Sequence, residues 1–352
     1  MLTVKERKTF KPSLGVVLFG LILLTVRIAE SVYNDKYPLT TPYKTRNMHT
    51  FRIGIIADLD SNAKSSSEKS TWYSYLKKGY LRYIPTRDTV VVNWDRAEPL
   101  KLTSNYAIRD RGMELSELVV FDGKLFSFDD RTGVVFEITN DEAIPWVLLM
   151  DGNGRATKGF KSEWATVKNK LMYVGSIGRE WTSNEGAFSN STYTNPEYIK
   201  TITPEGVITH INWKEEYSRL RAAMDVYWPG YVTHESGVWS EVHQKWFFLP
   251  RKCSRDHYNY TVDGHSGCSV LLSADVNMNG VQAVQITNTV DTRGFSSFKF
   301  IPTSGDTVIV ALRSEEVGDT TSTHITAFTI NGKILLQDSF VSDLKFEGIE
   351  FI

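Results

Sequence analysis

The sequence predicts an all-β fold, a five-bladed β-propeller closed by pairing N-terminal strands with a C-terminal one. Three observations predict it. The stretch from Arg111 to Ile138 reads as a β-meander. Leu118–Phe121, Leu125–Phe128 and Val134–Ile138 are apolar strands, joined by a tight Asp122-Gly123 turn and the polar turn Asp129-Asp130-Arg131-Thr132-Gly133. Looser copies follow, with an acid or a serine opening an apolar strand at Ser116, Glu163, Glu235, Ser296 and Glu347. The gaps of 47, 72, 61 and 51 residues form an irregular repeat in the range of propeller blades. The last unit, Glu347 to Ile352, is one strand long, while Phe51 to Trp94 holds strands with no opening unit of their own. The economical reading joins these two into one shared blade; a β-sandwich is the alternative.

Each element can be placed in order. Lys5, Arg7, Lys8 and Lys11 precede the uncharged apolar run Leu14–Val26, which Arg27 ends. Thirteen residues are too few for a spanning helix, which needs about 20. Residues 1–31 therefore read as a signal peptide with small residues near Ala29-Glu30-Ser31; an uncleaved signal anchor with a cytosolic basic end is the rival. Residues 32–50, with Pro38 and Pro42, read as a stem or linker, and 51–352 as the propeller. Phe51–Ala57 is a strand leading into Asp58-Leu59-Asp60, and Asn62–Ser70 is a surface loop. Trp72–Leu81 is aromatic-rich, with Lys77-Lys78-Gly79-Tyr80 read as a turn into a strand; Thr89–Trp94 is another strand. Thr182–Glu197, Arg255–Gly267 and Val317–Thr323 read as loops, and Trp213–Met224 as a helix with Tyr217, Leu220 and Met224 on one face.

The chain has 352 residues, enough for one large β domain, and a net charge of −1, which gives no electrostatic case for nucleic acid. No P-loop, zinc spacing or dinucleotide motif is present, so phosphate must be held by other means. No nucleophile elbow is present either, and His234 and His324 read as structural. Cys253 and Cys268, the only cysteines, flank a polar loop and can pair in an oxidising compartment, or stay as two reduced thiols. Because that loop is remote in sequence from the acidic residues, activity is expected to survive loss of the pair. Asn190-Ser191-Thr192 and Asn259-Tyr260-Thr261 are N-glycosylation acceptor sequences.

The opening residues of the repeat should lie at the inner ends of the blades. Three inward carboxylates would repel one another without a cation, and Ca²⁺ takes six to eight oxygens from carboxylates, carbonyls and water. Phosphate chemistry needs cationic partners, and attack by water needs a carboxylate to position or deprotonate it. Asp58, Asp60, Arg111, Glu114, Asp130 and Arg131 cluster on neighbouring elements of the proposed ring.

The motifs ELSELVVFDGKLFSFDDRTG, PWVLLMDGNG, KGFKSEWATVKNKLMYVG, HESGVWSEVHQKWFFLPRK, GFSSFKFIP, VIVALRSEE and FEGIEFI occur in this order. From about Arg52 to the last residue, the chain resembles the calcium-activated nucleotidase (soluble apyrase) family. The resemblance implies a five-bladed propeller that hydrolyses nucleoside di- and triphosphates such as UDP, GDP or ADP and needs Ca²⁺. It matches Ser116, Glu163, Glu235, Ser296 and Glu347 to the family's calcium ligands, the serines through their carbonyls. It implies catalytic roles for Asp60, Glu114 and Asp130, and the lack of a covalent-nucleophile motif favours direct attack by water. Asp58, Arg111, Arg131, Lys161, Lys299 and Arg313 are the expected phosphate-site residues, and Trp181 the residue that stacks on a base. The competing expectation is a non-enzymatic, calcium-stabilised propeller that binds a protein or glycan. A homodimer is possible. The expected location is the secretory pathway, secreted in preference to an ER or Golgi type II membrane protein.

Overall fold

Alternating apolar residues and tight turns fold the chain into antiparallel sheets set around one axis. The structure, a computed structural model, describes residues 32–182, 194–286, 290–318 and 320–352. The strands β1–β5 are Tyr43–Lys44, His49–Ala57, Trp72–Ile84, Thr89–Trp94 and Leu100–Ser104. The second sheet holds β6–β9, Leu115–Phe121, Lys124–Asp129, Val134–Thr139 and Glu142–Leu148. The third holds β10–β13, Trp164–Lys168, Leu171–Gly175, Tyr198–Ile202 and Ile208–Asn212. The fourth holds β14–β17, Tyr231–Ser240, Lys245–Ser254, Val270–Ala274 and Gln282–Gln285. The fifth holds β18–β21, Arg293–Phe300, Val308–Val317, Thr320–Thr329 and Ile334–Ser342. The final strand, β22 (Phe346–Phe351), pairs antiparallel with β2, so the shared blade expected from the sequence closes the ring. The fold is a five-bladed propeller. Among the described residues its helices are α1 (Lys214–Ala222) and the single turn α2 (Tyr260–Asp263).

Apolar faces of adjacent blades make the core. Trp164, Trp213, Tyr217, Trp246 and Phe248 interlock between the third and fourth sheets, mostly edge to face, with ring centroids 5.2–6.4 Å apart. Phe247, Phe295, Phe298, Phe300 and Phe328 do the same between the fourth and fifth. The innermost strands β6, β10, β14, β18 and β22 each touch the next around the ring. Approach there is close: a Cβ on Gly348 would lie 2.6 Å from the Glu117 backbone.

Every opening residue of the repeat sits at an irregularity of its innermost strand. Ser116 is the extra residue between the pairs Leu115–Asp129 and Glu117–Phe128. Ser296 is extra between Phe295–Arg313 and Ser297–Leu312, and Glu347 between Phe346–Ala57 and Gly348–Ile56. Glu235 lies in the shifted stretch between His234–Pro250 and Gly237–Phe248. The Glu163 N–H donates to the Gly175 carbonyl, 2.8 Å away, although Gly175 already pairs with Trp164. A bulge leaves one residue outside the ladder and re-aims it. The repeated acid or serine is thus the chemical mark of a repeated backbone feature.

Several expectations change. Lys77-Lys78-Gly79-Tyr80 is no turn, because Trp72–Ile84 is one continuous strand. Its first half pairs β5 and its second half β4. Gly79 is needed for close approach, since a Cβ there would meet the Asn93 carbonyl at 2.7 Å. The stretch read as a stem packs on the propeller: the Asn34 N–H donates to Asp122, and the Tyr37 hydroxyl to Glu350 at 2.9 Å. Of Val317–Thr323, read as a loop, Val317 ends β19 and Thr320–Thr323 already belong to β20, while residue 319 lies outside the described residues. Residues 1–31 and the Asn190 acceptor sequence lie outside the described residues, as do residues 183–193 of the loop 182–197. No helix among the described residues is long and apolar enough to cross a membrane.

Candidate active site and cation ring

A cleft of about 540 Å³ opens at one end of the inner strands. It is lined by Asp58, Asp60, Asp130, Lys161, Glu163, Arg179, Trp181, Glu235, Arg251, Lys252, Asp263, Glu316, Lys345 and Glu347, among others. Eight carboxylates therefore face five Lys and Arg side chains.

The acids come from all five blades and meet around three chain cations. Lys345 Nζ lies 2.9 Å from Asp58, 2.5 Å from Asp60 and 3.8 Å from Glu347. Lys161 Nζ pairs with Asp130 and, at 2.6 Å, with Glu163. Arg251 pairs with Glu235, Glu347 (2.6 Å) and Glu316 (3.0 Å). Lys161 and Lys345 each stand two residues before an opening glutamate. In extended chain that spacing puts both side chains on one face.

Asp60 sits at a left-handed φ of 49°, its N–H donating to the Asp58 carboxylate at 2.8 Å. Its own carboxylate is 43% exposed, the most open of the acids around Lys345, and Arg111 reaches it at 3.2 Å. Arg111 also binds the buried Glu114, through Nε at 2.6 Å, with Arg131 3.8 Å away. Asp58, Asp60 and Glu114 each bring a carboxylate oxygen within 4.8 Å of the others, an acidic group able to hold a metal ion.

The electrostatics show convergence. Burial pushes Glu114 up to about 8 against the hydrogen bond from Arg111, and the charges of Asp130 and Asp58 add to the rise. Burial also raises Glu163 to about 8 and Glu347 well above the carboxylate range; Glu235 adds to both shifts. Burial acts on Asp58 the same way, but Lys345 and the Asp60 N–H win and hold it low. The Glu235 charge therefore reaches both other glutamates of the repeat, Glu163 and Glu347. The Oδ1 atom of Asp130, fully buried, has no hydrogen-bond partner among the described residues. Hard oxygen donors crowded in this way are the chemistry that suits Ca²⁺. The serines fit a carbonyl role: Ser116 Oγ is engaged by the Ser162 carbonyl, and Ser296 Oγ by Ser314 at 3.0 Å.

Of the residues expected from sequence, Asp58, Asp60, Asp130, Lys161, Glu163, Trp181, Glu235 and Glu347 line the cleft. Arg111, Glu114 and Arg131 adjoin it through Asp60. Lys299 and Arg313 are not brought there. Lys299 is buried beside Glu117, 3.2 Å away, and Arg313 is buried against Asp338 at 2.8 Å and the Arg293 carbonyl at 3.0 Å. His234 is buried between Tyr217 and Phe248, as befits a structural histidine. Trp181 carries Lys158 Nζ 4.0 Å above its ring.

Sequence reading missed Arg179, Arg251, Glu316, Lys345 and the wall made by Tyr258, Tyr260, Thr261, Asp263 and His265. Only Lys345 carried a readable signal, its match to Lys161. Arg179 is held between the rings of Tyr231 and Tyr258, at 5.1 and 4.6 Å, with Nε on Thr233 at 2.9 Å. Cys253 and Cys268 form a disulfide, Cα–Cα 5.4 Å, at the base of the loop that supplies Tyr258, Tyr260, Thr261, Asp263 and His265 to the cleft. The expectation that this loop is remote from the chemistry is therefore corrected: distance in sequence is not distance around a ring.

Comparison with known proteins agrees with this architecture. The Apyrase family model matches residues 59–352. The chain is 47% identical over 322 residues to soluble calcium-activated nucleotidase 1 of Rattus norvegicus, covering 92% of this chain and 79% of that protein. It is 42% identical over 355 residues to an apyrase of Cimex lectularius, covering 97% of each. A Caenorhabditis elegans apyrase is 37% identical over 304 residues, 86% of this chain and 84% of its own length.

Proposed function

The chain belongs to the apyrase family of nucleoside-phosphate hydrolases, and from that premise we propose a Ca²⁺-dependent enzyme that removes terminal phosphate from nucleoside di- and triphosphates of the UDP, GDP and ADP type. The charge balance of the cleft carries this reading. Eight carboxylates against five Lys and Arg repel a polyphosphate, so substrate and site need a divalent cation between them. Ser116, Glu163, Glu235, Ser296 and Glu347 would hold calcium at the axis, and the oxygens of Asp58, Asp60 and Glu114 are a second set suited to a metal. A cation held by these residues would supply charge neutralisation at the phosphates and Lewis-acid polarisation of the phosphorus centre.

The chain's own residues do the rest. Asp60, exposed to the cleft and held by Lys345 and Arg111, orients water and takes its proton as oxygen attacks the terminal phosphorus. The anhydride P–O bond breaks, releasing inorganic phosphate and the nucleotide one phosphate shorter. Glu114 and Asp130 fix Arg111, Arg131 and Lys161, which face the phosphate oxygens. Trp181, braced by Lys158, offers a flat face to the base. The disulfide and the N-terminal apolar run support passage through the secretory pathway. The test is phosphate release from UDP, GDP and ADP in Ca²⁺, Mg²⁺ or EGTA. Release with Ca²⁺ and loss in EGTA is expected; equal rates in EGTA overturn the calcium requirement.

A further inference from the structure

The acceptor sequence Asn259-Tyr260-Thr261 lies on the disulfide-closed loop; Tyr260 and Thr261 line the cleft, and Asn259 stands just outside it. We propose that Asn259 carries an N-linked glycan that stands over the cleft rim and screens its entrance against bulky substrates. The screening part rests on the function proposed above; the modification itself does not.

Asn259 is exposed, and its Oδ1 accepts from the Thr261 N–H at 2.9 Å, capping the turn Tyr260–Asp263. Its Nδ2 donates to no described residue, so the atom that would carry the sugar is free. In the linkage reaction Nδ2 bonds to the anomeric carbon of a lipid-diphosphate-linked oligosaccharide. The amide proton leaves and the lipid diphosphate is the leaving group. Oδ1 keeps its lone pairs, so the cap and the loop conformation survive modification. The same loop supplies the compartment argument, because Cys253–Cys268 needs an oxidising lumen, where such transfer takes place.

The site has a fixed position relative to the cleft. Asp263 pins the turn by accepting from the Tyr231 hydroxyl at 2.5 Å and pairing with Lys252 at 2.6 Å. Tyr260 and Thr261, the next two residues, line the cleft. Around them lies apolar surface open to water: Tyr260 is 71% exposed and Val262 54%. Tyr227 and Trp228 are exposed close by, with the Trp228 ring 5.4 Å from His257 of the same loop. Sugar faces on Asn259 would cover these rings and narrow the mouth. A free nucleotide can pass under such a chain; a triphosphate at the end of an oligonucleotide meets it.

The experiment uses the full chain secreted from a eukaryotic host. Glycopeptide mass spectrometry of the Asn259 peptide should show the sugar, and amidase release in heavy-oxygen water should leave labelled Asp. Asn259→Ser removes the acceptor but keeps an uncharged cap. Its kcat/KM on UDP should match wild type, while that on a 5′-triphosphorylated oligonucleotide should rise severalfold. An unmodified Asn259 peptide overturns the glycan. A glycan whose loss changes both substrates alike, or neither, overturns the screening. No release of phosphate from free UDP by either protein overturns the proposed function and the screening together, while the mass spectrum still decides the modification.

Discussion

At the residue scale, the proposed mechanism separates groups that hold charge from one that meets water. Glu163, Glu235 and Glu347 line one cleft, and each Gln variant keeps shape while losing one charge from the proposed calcium ring. Calcium titrations of activity should therefore shift to higher Ca²⁺ for all three, with much of the rate regained at saturating metal. Asp60→Asn should lose ~10²-fold or more in kcat, the scale of general-base catalysis, and added calcium should not restore it. Rescue of Asp60→Asn with unchanged metal dependence in the glutamate variants would remove this division of labour. A second residue-scale prediction concerns His234. Burial pushes its imidazole down to about 3, so the folded protein keeps it neutral while the unfolded chain binds a proton below about 6.5. Its contribution to stability is present above pH 6.5 and is lost as pH falls, by up to ~1.4 kcal/mol per pH unit over that window. Chemical denaturation between pH 7 and pH 5 should show a shallower loss for His234→Phe than for wild type.

At the element scale, the bulges and the stapled loop matter more than strand propensity. Shifted pairing on β6, β14, β18 and β22 takes an acid or a serine out of the ladder without breaking the strand around it. The loop between Cys253 and Cys268 is irregular backbone made into a cleft wall by its disulfide, by Asp263 and by the backbone bond from the Cys253 N–H to the Ser266 carbonyl. Closing a loop of this length contributes about 3 kcal/mol in the chain-entropy model. The Cys253→Ser, Cys268→Ser double variant should unfold at a lower temperature. It should also raise KM for nucleotide while the Ca²⁺ midpoint stays in place. An unchanged KM would show that the wall does not contact substrate.

At the scale of the whole molecule, stability depends on closing the ring. Strand β22 zips onto β2 and presses against β6, with no space for a side chain at Gly348. Gly348→Ala should cost ~1–3 kcal/mol, the range for overpacking a tight interior, read as a fall in the thermal midpoint. A cation bound only by the folded ring adds stability by mass action, about 2.7 kcal/mol at a hundredfold excess over its dissociation constant. EGTA should therefore lower the midpoint of wild type, and lower that of Glu347→Gln less. An EGTA effect of equal size in both would place the stabilising metal elsewhere.

Local order was legible in the sequence because it is local. Alternation of apolar residues marked the strands, and Asp122-Gly123 and Asp129–Gly133 marked their turns. The openers at 116, 163, 235, 296 and 347 counted the blades, since each blade repeats one backbone solution. The lone C-terminal strand foretold the closure. The fate of individual charges was decided by tertiary structure alone. Lys161 and Lys299 look alike in sequence, yet one faces the cleft and the other is buried beside Glu117 of a different blade. Arg313 turns to Asp338, while Arg251, unremarkable in the chain, ties three acids at the axis. In a ring of blades the residues that meet at the centre are some fifty to seventy apart in sequence, so their partners are set by packing between sheets. That is why strands and blade count could be read from the chain, and the cleft's charge balance and its disulfide-bound wall only from the folded molecule.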